Sequence, residues 1–200
     1  TEQTYKNRGK EMLARVTQHP GPIAKKAVKL INGDLPQFWL SEGDAIILCG
    51  KIDWLQYHEK DNSVTIIDFK TSKSEEDSES LQLPIYHLLA HYCQKRLVVG
   101  VAYWYLGLSD EPVQKPLPDL EESQEKVMKI AKQIKTARAL ERFKCLAGDE
   151  GCRYCQPYEA ILRSEAEFAG VDSKGRKDVY ILKKESGLLG GEDRDEGVIL

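Results

Sequence analysis

Residues 4–18 place Tyr5, Met12, Leu13 and Val16 at mostly helical spacing, and His19-Pro20-Gly21-Pro22 stops the pattern. A second short helical piece is expected over 23–32. Residues 37–40 and 45–53 read as strands, with Glu42-Gly43-Asp44 as the turn between them. Residues 64–70, rich in β-branched side chains, form the next strand after the polar turn Glu59-Lys60-Asp61-Asn62. A polar, acidic loop over 71–80 leads into a helix over 81–95. A serine lies near its cap, and Pro84 is tolerated because it falls near the first turn. The long apolar run 97–106 predicts a buried strand, and a Pro-rich connector spans 112–118. The spacing over 120–143 predicts a helix with Val127, Ile130, Ala131, Ile134 and Ala137 on one face. Lys126, Lys129, Lys132 and Arg138 lie mostly off that face, which reads as solvated or as the wall of a nucleic-acid groove.

Beyond it come a cysteine-bearing segment and a polar region with one strand expected at 179–182. The last fifteen residues are Gly-rich and acidic and read as a disordered tail or linker. No internal repeat is visible. The order is helix, three antiparallel strands, helix, strand, helix. It predicts an α/β core with a mixed central sheet flanked by helices.

Composition narrows this picture only slightly. Two hundred residues suit one domain of ordinary size, or one domain with appendages. The chain begins at Thr1 in a helical pattern, which reads as a domain excised from a longer protein. A net charge of -3 and a pI near 5.9 do not advertise nucleic-acid binding, which needs only a local basic groove. No run approaches the roughly 18 apolar residues of a membrane span, and no signal-peptide pattern opens the chain. Five cysteines, Cys49, Cys93, Cys145, Cys152 and Cys155, make a poor disulfide framework and fit a reducing, cytoplasmic setting.

The chemistry concentrates between Gly50 and Tyr86. Gly50-Lys51-Ile52-Asp53 closes one apolar run, and Asp68-Phe69-Lys70 closes the next. Two carboxylates at the ends of neighbouring strands can converge on one hard cation, with the Phe69 carbonyl as a further ligand. Period-two alternation puts Asp68 and Lys70 on one sheet face. There the lysine either orients an attacking water or, with a depressed pKa, helps to deprotonate it. Gln82 and Tyr86, at i and i+4, share one helix face and are placed to bind DNA or to hold Lys70.

Gly-Lys-Ile-Asp, then Ile-Ile-Asp-Phe-Lys-Thr, then Leu-Gln-Leu-x-Ile-Tyr resembles the RecB-like nuclease branch of the PD-(D/E)xK superfamily. That branch includes nuclease domains of UvrD/RecB-type helicases and the CRISPR adaptation exonucleases. The resemblance covers about residues 5–165. It implies a restriction-endonuclease-like core, metal binding by Asp53 and Asp68, catalysis by Lys70, and a supporting Gln-x-x-x-Tyr role for Gln82 and Tyr86. It also implies Mg²⁺ or Mn²⁺ as cofactor, DNA as substrate, and a helicase motor in the same polypeptide or complex. The expected function is a Mg²⁺-dependent deoxyribonuclease, the exonuclease domain of a helicase–nuclease or of a repair or recombination protein. The alternatives are a catalytically inactive DNA-binding or interaction module and a stand-alone CRISPR adaptation exonuclease. Two features depart from the branch. The first helix carries no histidine before His19, and no glutamate stands out ahead of the Gly-x-x-Asp motif, where Lys25, Lys26 and Lys29 crowd the stretch. The expected division is a nuclease domain over 1–165 and a polar C-terminal extension over 166–200.

Cys145-x6-Cys152-x2-Cys155 has thiolate spacing suited to zinc or an iron–sulfur cluster. Some RecB-like nucleases close a [4Fe–4S] cluster with one early cysteine and a final C-x2-C-x5-C. Here Ile161 stands where the last of these would fall, and no cysteine precedes Cys49. The loop 145–155 is therefore a candidate three-thiol site, with buried thiols as the alternative. His87 and His91 lack a third ligand and read as a partly solvated helix face. Cys49 and Cys93 read as small core residues, and Tyr103-Trp104-Tyr105 as part of a buried strand rather than a base-stacking surface.

Overall fold

The computed structural model describes residues 2–30, 35–145, 147–148, 151–152, 154–172 and 174–182. They fall into two compact units, Glu2–Thr136 and the residues from Ala137 onward. The predicted tail and residues 31–32 of the expected second helix lie outside the described residues.

In the first unit, helix α1 (Glu2–Gln18) is followed by strands β1 (Gln37–Ser41), β2 (Ile46–Cys49), β3 (Trp54–His58) and β4 (Ser63–Lys70). Helix α2 (Gln82–Cys93), strands β5 (Leu97–Tyr105) and β6 (Val113–Lys115), and helix α3 (Leu120–Ala139), whose last three residues lie beyond the unit's end, complete the order. A four-stranded mixed sheet runs β3-β4-β5-β6, in which β4 and β5 are parallel and the other neighbours antiparallel. A parallel pair needs a crossover, and α2 supplies it. This is the mixed α/β architecture that the hydrophobic pattern predicts.

Alternation along β4 and β5 makes two cores. Val64, Ile66, Val101, Tyr103 and Tyr105 pack with Leu83 and Ala90 of α2. Ile67, Ala102 and Trp104 point the other way, against Val16 of α1, Trp54 and Phe69. Burial on both faces explains why these strands read as continuous apolar runs. Gly21 closes the turn after α1 at φ +41°, where an added Cβ would lie 3.5 Å from the Trp104 ring.

The structure corrects several expectations. The run 45–53 is not one strand. It breaks after Cys49, and a separate strand, β3, begins at Trp54 and becomes the partner of β4. β1 and β2 form their own two-stranded sheet, whose inner side chains Phe38, Leu40, Ile46 and Leu48 pack with Leu88 and Val127. Cys49 lies on the opposite, exposed face rather than in the core, and Cys93 is half-buried with its thiol toward the Gln37 carbonyl. In place of a helix over 23–32, a short 3-10 turn (Gly21–Ala24) gives way to extended backbone. Ala27 bridges Gln56, covering the edge of β3. The connector 112–118 contains β6, which closes the far edge of the sheet.

From Ala137 onward, helix α4 (Gln156–Leu162) precedes the antiparallel pair β7 (Ala166–Val171) and β8 (Asp178–Leu182). The expected strand 179–182 is β8; α4 and β7 were not legible. No helix among the described residues is long and apolar enough to cross a membrane.

Candidate active site

The apolar face of β4 that packs on α2 ends in two polar residues. Continuing the alternation from Val64 and Ile66, Asp68 and Lys70 project from the same side of the sheet, toward the first turn of α2. Asp53 directly precedes β3. Because Trp54 pairs with Ile67, Asp53 comes opposite the Asp68 end of β4, where its Oδ2 accepts the Phe69 N–H at 3.1 Å. The two aspartates thus meet as expected, but Asp53 sits at the start of a strand rather than at its end.

Gln82 joins the pieces. Its Nε2 donates to Asp68 Oδ1 at 2.8 Å and to Tyr86 Oη at 3.0 Å, while its Oε1 accepts from the Lys70 ammonium. An amide offers from one terminus both a donor to the carboxylate and an acceptor to the ammonium. The Ser80 hydroxyl accepts the Gln82 N–H at 3.3 Å, which fixes this first turn.

Asp68 is only 2% exposed, and burial, aided by the Asp53 carboxylate beside it, lifts it above the usual carboxylate range. Its Oδ2 lies 3.1 Å from Lys70 Nζ but out of hydrogen-bonding alignment, and among the described residues it accepts no hydrogen bond. A buried carboxylate oxygen without a donor, next to a second carboxylate, fits a hard divalent cation. Burial alone would pull the Lys70 ammonium down. Glu76 and Asp68 outweigh it, and the group sits above its ordinary value. This direction favours the water-orienting role of Lys70 over the depressed-pKa base also considered from sequence. Its Nζ also lies 5.1 Å from the centre of the Tyr103 ring. Tyr86 is kept protonated by burial and by the two aspartates.

Sequence reasoning missed two neighbours. Glu76, in the acidic loop after β4, approaches Lys70 Nζ to 2.9 Å. The loop's acidity was visible, but nothing in the sequence says which acid turns inward. α1 brings no histidine here; instead Arg8 reaches the margin of the site and donates to the carbonyl of Thr71. His87 is buried rather than solvated, with Nδ1 2.8 Å from the Pro118 carbonyl oxygen, while His91 is exposed. Tyr103, Trp104 and Tyr105 are buried, as the strand reading requires. On the lysine-bearing side of α3, Lys126 pairs with Glu79 and Lys132 with Asp44.

In the second unit, the sulfurs of Cys145, Cys152 and Cys155 all lie within 4.8 Å of one another, with Cys152 and Cys155 3.8 Å apart. Cys145 Sγ accepts the N–H groups of Cys152 at 3.1 Å and Ala147 at 3.4 Å. Backbone N–H groups of Tyr154 and Cys155 hold the Cys152 thiol down to about 7. Cys155, facing the other two sulfurs, is pushed up to about 11. Converging sulfurs with backbone donors aimed at them suit a soft metal.

No curated protein and no solved structure gives a significant match to this chain. Comparison with protein families aligns residues 4–161 with the PD-(D/E)XK nuclease superfamily. Because that match runs from within α1 into α4, the chain belongs to the PD-(D/E)XK nuclease superfamily.

Proposed function

We propose that the protein is a Mg²⁺- or Mn²⁺-dependent deoxyribonuclease, the exonuclease domain of a helicase–nuclease or of a DNA repair protein. The observation that carries this reading is the buried Oδ2 of Asp68, which accepts no hydrogen bond and lies between the Asp53 carboxylate and the Lys70 ammonium. Asp53, Asp68 and the Phe69 carbonyl would hold the cation. When bound, it acidifies water and neutralises charge gathering on the phosphate oxygens. Lys70 supplies a second positive charge and orients the attacking water and the phosphate. On this reading the lysine acts by charge and direction rather than by taking the proton. Gln82 fixes the Lys70–Asp68 geometry, and Tyr86 fixes Gln82.

The three-thiol cluster supports a separate reading for the second unit: a zinc ion or iron–sulfur cluster that staples the loop. For the nuclease reading, cleavage of single- and double-stranded DNA is compared with Mn²⁺ affinity in three proteins. Wild type is expected to cleave in a metal-dependent way, and Asp68→Asn to lose both cleavage and metal binding. Lys70→Ala is expected to slow cleavage about 10²-fold while leaving metal affinity near wild type. A wild type that binds DNA but cleaves no form of it with either metal would instead favour the inactive DNA-binding module.

A further inference from the structure

The Lys70 ammonium has oxygens around it. An ammonium carries three N–H donors and no acceptor. Gln82 Oε1 accepts one, Glu76 Oε2 lies at 2.9 Å, and Asp68 Oδ2 at 3.1 Å, with the Tyr103 ring alongside. The Lys70 side chain is only 15% exposed. In this arrangement Glu76 stands on the exposed side of the ammonium, where a phosphate oxygen would approach it.

The three oxygens are not equally fixed. Asp68 is sealed at 3% side-chain exposure, and Gln82 is committed to Asp68 and Tyr86. Glu76 is 31% exposed and belongs to the loop between β4 and α2. Its backbone N–H donates to the hydroxyl of Tyr105, a core residue 1% exposed. Its neighbours Glu75 and Glu79 pair with Lys115 and Lys126 at 3.1 and 3.2 Å. The loop backbone is thus moored on three elements, and a side-chain rotation of Glu76 alone would uncover the ammonium.

We propose that Glu76 is a displaceable stand-in for substrate, its carboxylate holding the place at Lys70 that an oxygen of the DNA phosphodiester takes on binding. This rests on the role given to Lys70 above. One anion exchanges for another, so DNA binds only as tightly as the open rotamer is populated. The pair also keeps the ammonium from engaging other small anions.

The test is binding of a short fluorescein-labelled single strand, and of its duplex, to the full chain in EDTA, read by anisotropy. Glu76→Gln, and Glu76→Asp, which keeps the charge but withdraws it by one methylene, are each expected to tighten binding about 3- to 10-fold. Glu75→Gln and Glu79→Gln, carrying equal changes of loop charge, are expected to gain less than about twofold. Mn²⁺ affinity should be unchanged in both Glu76 variants. The inference is overturned if neither Glu76 variant binds tighter. It is also overturned if Glu76→Asp behaves as wild type, if the Glu75 or Glu79 variants gain as much, or if Glu76→Gln loses Mn²⁺, which would make Glu76 a metal ligand. Because these measurements need no cleavage, a wild type that fails to cut DNA refutes the nuclease reading without deciding the role of Glu76.

Discussion

Replacing Gly50 by alanine probes how the motif segment is held against the core. Gly50 ends the β1–β2 sheet and opens the stretch that delivers Asp53 to β4. Its N–H donates to the Pro36 carbonyl at 3.1 Å, and its φ is not positive, so alanine meets no backbone strain there. The obstacle is steric. An added Cβ would stand 2.9 Å from Leu89 Cδ1, and Leu89 is fully buried on α2. A flexible side chain at the surface would swing aside, but this one cannot without disturbing its neighbours. Overpacking by one methyl costs about 1–3 kcal/mol, or roughly 2–12 °C in Tm for a chain of this size. If the backbone yields instead of Leu89, Asp53 moves and Mn²⁺ affinity falls with stability. Leu89→Val alone should cost about 1 kcal/mol, and in the double variant the two changes should offset by about 0.5 kcal/mol or more. Thermal unfolding and Mn²⁺ titration of the four proteins complete the cycle. A Gly50→Ala protein as stable as wild type, or strict additivity with Leu89→Val, would refute the close contact as the reason for glycine.

Two further outcomes are expected. Asp68 has a raised carboxyl pKa, so the folded state holds its proton to higher pH than the unfolded chain, and stability from this group declines as pH rises through that window. In EDTA, Asp68→Asn should therefore gain on wild type as pH rises above about 4, the unfolded-chain value, as judged by Tm. A difference moving the other way would contradict the burial of that carboxylate. Replacing Cys152 and Cys155 together by serine should lower Tm while leaving Mn²⁺ binding at the aspartates nearly unchanged. Anaerobic purification with elemental analysis identifies iron or zinc; neither metal, with an equally stable double variant, would leave the thiols without a structural task.

Parts of the fold whose logic is local are legible along the chain. β-branched alternation marked β4, and the same period of two set Asp68 and Lys70 on one face. Helical spacing put Gln82 and Tyr86 together, and the turn-bounded apolar run marked β5. Each follows from covalent geometry over a few residues. Which strand belongs to which sheet depends on packing between distant segments, and this is why 45–53 reads as one strand but folds as two segments. An apolar run gives no sign that its first half packs under α2 and α3 while the next strand leaves for another sheet. The exposed Cys49 and the buried His87 have the same origin, since burial depends on which element lies opposite. Glu76 was hidden for a different reason. An acidic loop of ten residues offers several carboxylates of equal local merit, and only its path in the fold, fixed in part by the hydroxyl of the distant Tyr105, turns one of them onto the Lys70 ammonium. The three cysteines stand between these cases: their spacing announced a cluster, but convergence of the sulfurs needed the folded loop and its backbone donors.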